Sequence, residues 1–112
     1  MIYHIAKNDE WSACINKGQY TPADYDKDGY IHCSDDRQIK RVANWLFKGQ
    51  KDLVLLKIDP TKLKARTIYE SSQGTDEKFP HIYGPVNLDA VIKIIQLTCD
   101  SNGEFKIGER DL

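Results

Sequence analysis

Leu53-Val54-Leu55-Leu56-Lys57-Ile58 is apolar at every position but one and is closed by Asp59-Pro60. So short and continuous a run suits a central strand buried on both faces. Working outward, further strands are expected at residues 1–6, 30–34, 65–70, 79–83 and 91–97, the last rich in β-branched side chains. Pro80 and Pro85 keep the residues before them extended.

Between the strands lie two helical patterns. Asn8 or Asp9 is expected to cap a short helix that turns Trp11, Cys14 and Ile15 inward before Gly18 ends it. Ser34 or Asp35 caps a second, whose Ile39, Val42, Ala43, Leu46 and Phe47 form one stripe, with Gly49 as its stop. Residues 19–29, rich in Tyr, Pro, Asp and Gly, read as a long loop folded over something, and residues 71–78 as a mobile polar loop. Residues 104–107 add a short edge pairing. The sum is an α+β fold with two principal helices.

At 112 residues the chain is read as one domain, 1–112. Sixteen basic and seventeen acidic side chains nearly cancel, so no net field draws it to nucleic acid or to an anionic membrane. Arg37, Lys40 and Arg41 read as a solvated helix face. No segment approaches the roughly twenty apolar residues of a membrane span, and the first residues enter a strand directly, so a cytoplasmic protein is expected. Three cysteines without close pairs fit reduced thiols, and Cys33 reads as a packed thiol rather than a nucleophile.

The three histidines mark the candidate site. His4, His32 and His81 each sit in an extended run between apolar or aromatic neighbours: Tyr3-His4-Ile5, Tyr30-Ile31-His32-Cys33-Ser34 and Phe79-Pro80-His81-Ile82-Tyr83-Gly84. Alternation along a strand gives each histidine one face and its apolar neighbour the other. If the strands adjoin, imidazoles, the Ser34 hydroxyl and the Tyr83 phenol can bracket a small ligand bearing hydroxyl and phosphate or carboxylate groups, with no metal required. Tyr30 and Gly84 flank these groups, and Glu70, at a strand end, is the acid best placed to serve as a general base or to stabilise developing positive charge. Alternatives are a zinc site built on the three histidines, a Ser34-histidine acyl-transfer site, or histidines that merely satisfy backbone groups.

These motifs resemble the bacterial DUF952 family, a domain family of unknown function. The resemblance runs from Ile2-Tyr3-His4-Ile5 through Gly29-Tyr30-Ile31-His32-Cys33-Ser34 to Phe79-Pro80-His81-Ile82-Tyr83-Gly84-Pro85. It implies a split mixed β-sheet of the ADP-ribosyltransferase-like type, whose cleft holds NAD in the enzymes. By that resemblance His4 contacts a ribose, His32 and Ser34 hold the leaving base, and His81 with Glu70 handles protons. His81 stands where protein-modifying transferases carry a catalytic glutamate, a departure from their pattern. The expected function is binding of NAD, ADP-ribose or a related nucleotide, with cleavage or transfer at the ribosyl C1′. The alternatives are a noncatalytic binding module and a zinc-dependent hydrolase. NAD enters as a substrate and not as a resident cofactor. The partner is a small molecule, neither a membrane nor nucleic acid, and no oligomeric state is assigned.

Overall fold

The computed structural model describes residues 1–71 and 75–112. Leu53–Ile58 forms β4, the middle of a three-stranded antiparallel sheet with β1 (Ile2–Lys7) on one side and β8 (Val91–Leu97) on the other. It is buried on both faces, as its composition demands. Val54, Leu56 and Ile58 pack with Ile2, Ala6, Tyr20, Ile31, Ile82 and Val86, whereas Leu53 and Leu55 pack with Tyr3, Ile5, Ile39, Ala43 and Phe105. Burying each such side chain contributes about 1.5–3 kcal/mol.

A second three-stranded sheet runs β3 (Ile31–His32), β6 (Lys78–Tyr83), β5 (Arg66–Ser71), and a short ladder joins β2 (Gln19–Tyr20) to β7 (Val86–Asn87). Every pairing among the described strands is antiparallel, which corrects the expectation of a mixed sheet. Antiparallel pairs need no long crossover, and each strand here meets a neighbour running the other way. The two larger sheets touch at one bridge, where the Tyr3 N–H donates to the Ser34 carbonyl (2.7 Å) and the Ser34 N–H to the Tyr3 carbonyl (2.8 Å).

The helices are α1 (Asn8–Cys14), the four-residue α2 (Tyr25–Asp28) and α3 (Ile39–Leu46). Several expectations are corrected here. Lys7, not Asn8 or Asp9, occupies the cap of α1, and Ile15 is exposed because a 3-10 turn over Ile15–Lys17 rotates it off the apolar stripe. Residues 19–29 are not one long loop: they hold β2 and α2, and Tyr20 is fully buried against Trp11. At α3 the cap position is Gln38, not Ser34 or Asp35, with no side-chain cap; the Asp35 carboxylate accepts the N–H groups of Arg37 and Gln38 in the turn before it. Leu46 ends that helix exposed. The expected edge pairing near residue 105 is a single bridge between Cys99 and Phe105. Of the expected 71–78 loop, residues 72–74 lie outside the described residues. No helix is long and apolar enough to cross a membrane among the described residues.

Candidate functional site

Register builds the site. β3 pairs with β6 so that His32 stands directly opposite His81, and Ile31 opposite Ile82. With a side-chain period of two, both isoleucines enter the core while the two imidazoles share the other face. The His32 and His81 rings meet edge to face at 5.6 Å, and Tyr30 stacks on His81 at 4.1 Å with 20° between planes. β5 carries Glu70 opposite Phe79, which brings its carboxylate diagonally beside His81 and Tyr83.

His81 is the most unusual group in the chain. Its Nδ1 lies 3.0 Å from Glu70 Oε1, and because an ionised carboxylate only accepts, Nδ1 carries the proton. Tyr83 donates its O–H to the same Glu70 oxygen in a short contact. His81 Nε2 is then bare in the neutral ring and is the one buried side-chain N or O without a partner among the described residues. Leaving such an atom unsatisfied costs about 1–3 kcal/mol. The Tyr83 phenol and then the His81 N–H hold the Glu70 carboxyl below its ordinary range, and Glu70 in turn pushes the Tyr83 phenol up to about 12.

His4 is spent differently. Its Nδ1 donates to the His32 carbonyl at 2.6 Å, which fixes the tautomer, so Nε2 accepts from the Tyr20 hydroxyl at 2.8 Å. Burial lowers its pKa and keeps the ring neutral, and burial likewise raises the Tyr20 phenol. Both nitrogens are engaged inside the protein, so the expected ribose contact has no free nitrogen to use. His32 sends Nε2 to Asp28 Oδ2 at 3.0 Å at the protein surface.

His4, His32, Ser34 and His81 open onto one cleft of about 580 Å³. Its far wall is α3, through Ile39, Val42, Trp45 and Leu46, and its charged groups include Glu10, Asp24 and an Arg41–Glu77 ion pair. A mostly apolar concavity of this size with a few convergent polar groups is the usual form of a small-molecule site. Tyr30, Tyr83 and Glu70 stand outside the cleft wall and support His81 instead. Gly84 serves packing: at φ 150° a Cβ there would come 2.8 Å from the Ala65 Cβ. Cys33 is buried in the core, which raises its thiol pKa. Tyr20, Asp28, Gln38 and Glu77 were not anticipated as neighbours of the site. Only Asp28, four residues before His32, carried a sequence signal.

Among the described residues no group of three or more His, Cys, Asp or Glu is disposed to hold a metal ion. Both nitrogens of His4 already have partners, so a zinc site built on all three histidines lacks its third imidazole.

The sequence matches the family described as "Protein of unknown function (DUF952)" over residues 5–94. The fold is similar to the crystal structure of protein CC0527 from Caulobacter crescentus, with a TM-score of 0.86 and 33% identity over 97% of this chain and 96% of that one. It is also similar to the solution NMR structure of CC0527, with a TM-score of 0.74 and 34% identity over 91% and 88% of the two chains. No curated protein matches the chain.

Proposed function

The chain belongs to the DUF952 family, and we propose that it binds NAD, ADP-ribose or a related nucleotide in the histidine-lined cleft, with His81 as the acid–base group and Glu70 orienting it. The observation that carries this reading is the orphaned, buried Nε2 of His81, beside His32 and Ser34 and backed by a carboxylate on the opposite nitrogen. A carboxylate that fixes the tautomer of an imidazole whose other nitrogen awaits a proton is the arrangement that general-base chemistry needs. The division of the strands into two sheets around the cleft also supports an ADP-ribosyltransferase-like architecture.

In the reaction we infer, the C1′–N bond of the bound ribosyl group breaks and its electron pair leaves with the base. Water or an acceptor hydroxyl bonds to C1′ and gives its proton to His81 Nε2, and the positive imidazolium is then stabilised by Glu70. Ser34 and His32 hold polar groups of the ligand. His4 is a positioning residue that ties the His32 backbone in place.

The test is thermal denaturation with NAD, ADP-ribose and nicotinamide, followed by assay of NAD consumption. A ligand at a hundred times its dissociation constant adds about 2.7 kcal/mol, roughly 10 °C for a chain of this length. His81→Gln is expected to abolish turnover while a shift persists. No shift with any ligand defeats the nucleotide reading, and a shift without turnover in the wild type leaves a noncatalytic binding module.

A further inference from the structure

We infer that Arg41, with Trp45 beside it, is an anion subsite at the mouth of the cleft that takes the phosphate of the ligand, and that the Glu77 carboxylate occupies it in the unliganded protein. The inference rests on the nucleotide reading above and names the part of the site that would read the phosphate.

Four observations converge. First, residues 37–51 contain Arg37, Lys40, Arg41, Lys48 and Lys51 and no Asp or Glu, so a chain with almost no net charge concentrates positive charge along α3 and its exit. Second, Arg41 and Trp45 lie four residues apart on α3, hence on one face, and both line the cleft. Trp45 is 67% exposed, a large apolar ring held in water at a cleft mouth. Third, the Glu77 carboxylate is presented to this face: Arg41 donates to Glu77 Oε2 in a short contact, and Gln38 Nε2 donates to the same oxygen at 3.1 Å. Fourth, the donors are prearranged. Gln38 is buried, its Nε2 also bonds the Lys78 carbonyl at 2.7 Å, and its Oε1 accepts the Asp35 N–H at 3.0 Å, so the amide cannot swing away.

A guanidinium and a fixed amide N–H converging on one oxygen recognise a carboxylate and a phosphate oxygen by the same geometry. Glu77 sits just before β6, its N–H donates to the Thr75 hydroxyl at 3.1 Å and its side chain is part-exposed, so the carboxylate can turn outward while the backbone stays in place. The diphosphate of such a nucleotide, with two charges against the one of Glu77, competes for Arg41, and an aromatic base of the same ligand can lie on the open indole of Trp45. Phosphate affinity is thereby reduced by an internal competitor, and removing that competitor should raise it.

The experiment is calorimetric titration of the full chain at one ionic strength with ADP-ribose, adenosine and inorganic pyrophosphate, on the wild type, Glu77→Gln and Arg41→Met. Glu77→Gln keeps an acceptor for Gln38 while removing the charge. It is expected to bind ADP-ribose about tenfold tighter and adenosine as before, and Arg41→Met to bind ADP-ribose about tenfold weaker with adenosine again unchanged. Matched thermal melts check folding, and Arg41→Lys, which keeps the charge without the fork, should fall between wild type and Arg41→Met. Unchanged or weaker ADP-ribose binding by Glu77→Gln overturns the subsite, as does equal weakening of ADP-ribose and adenosine by Arg41→Met. If adenosine binds but neither charge change separates it from ADP-ribose, the subsite falls and the nucleotide reading stands. Arg41-dependent binding of pyrophosphate alone keeps the subsite, with a free anion as its ligand, and removes the nucleotide reading. Absence of binding by all three probes to all three proteins removes both.

Discussion

Replacing His4 by alanine should destabilise the fold by more than its loss of apolar contact implies. The imidazole satisfies two buried groups at once, the His32 carbonyl at 2.6 Å and the Tyr20 hydroxyl at 2.8 Å. Alanine strands both, and each unsatisfied group costs about 1–3 kcal/mol, so the expected loss is roughly 2–6 kcal/mol. With an unfolding entropy of about 2.1 cal/mol/K per residue, each kcal/mol lowers the Tm by roughly 4 °C, which puts the His4→Ala melt about 8–25 °C below wild type. Asparagine offers a side-chain N–H near the Nδ1 position and should recover about half of the loss. A pH series supplies a second readout. Burial holds His4 below its usual value near 6.5 in the folded state, so the unfolded chain takes up this proton first. The stability that neutral His4 contributes is therefore complete above about 6.5 and is lost as pH falls below it. That acid loss should be present in the wild type and smaller in His4→Asn, compared by urea unfolding between neutral pH and pH 5. A His4→Ala melt within about 4 °C of wild type, or identical acid slopes in the two proteins, would refute the staple.

Three further outcomes are expected. Glu70→Gln should lower turnover of the preferred nucleotide by about 10²-fold with little change in ligand-induced thermal shift, since it keeps an acceptor for the His81 N–H but removes the charge that stabilises the imidazolium; an equal loss of binding would make Glu70 part of the ligand site. Tyr83→Phe should flatten the alkaline stability profile: the folded-state phenol is held up at about 12, so the stability it contributes is full below pH 10 and drains between about 10 and 12. Matching denaturant midpoints for the two proteins across that window would contradict this. Gly84→Ala should destabilise by roughly 1–3 kcal/mol through its φ and its contact with Ala65, and Ala65→Gly should relieve part of that cost. Chemical denaturation of the single and double variants checks it, and no rescue would leave backbone strain as the whole cause.

The central strand was legible because its signal is local: six residues with one charge allow little but burial on both faces. β8 was legible from its β-branched run, although as an edge strand it leaves Ile92 and Ile94 exposed, and α3 from its stripe at Ile39, Val42 and Ala43. Tyr20 was missed because nothing in Gly18-Gln19-Tyr20 distinguishes a buried phenol from one at the core edge; its burial is set by β7 and Trp11, far along the chain or on another element. Likewise the pairing of His32 with His81 spans 49 residues, and alternation predicted which face each would take but not that the two strands would be neighbours. The basic cluster Arg37, Lys40 and Arg41 was visible but read as a solvated helix face, because nothing local places Arg41 at a cleft. Glu77 was invisible as a partner of Arg41 because an ion pair across 36 residues leaves no spacing rule.

The three histidines do different work, and the difference follows from what each nitrogen touches. His32 is held at the backbone by His4 and at the ring by Asp28, and His81 is held by Glu70 with its remaining nitrogen unused. His4 sits on β1, in one sheet, while the carbonyl it grips belongs to β3, in the other. The Tyr3–Ser34 bridge lies next to this contact, so the two sheets are joined by backbone and by imidazole at the same place. That seam also helps to fix where His32 stands opposite His81, because the β3 strand carries only two paired residues, extended by the Cys33 N–H bond to the Pro80 carbonyl at 3.0 Å. Loosening the seam should therefore move the His32 ring relative to His81 before it unfolds either sheet. The stability of the fold and the geometry of the cleft are coupled through one neutral histidine.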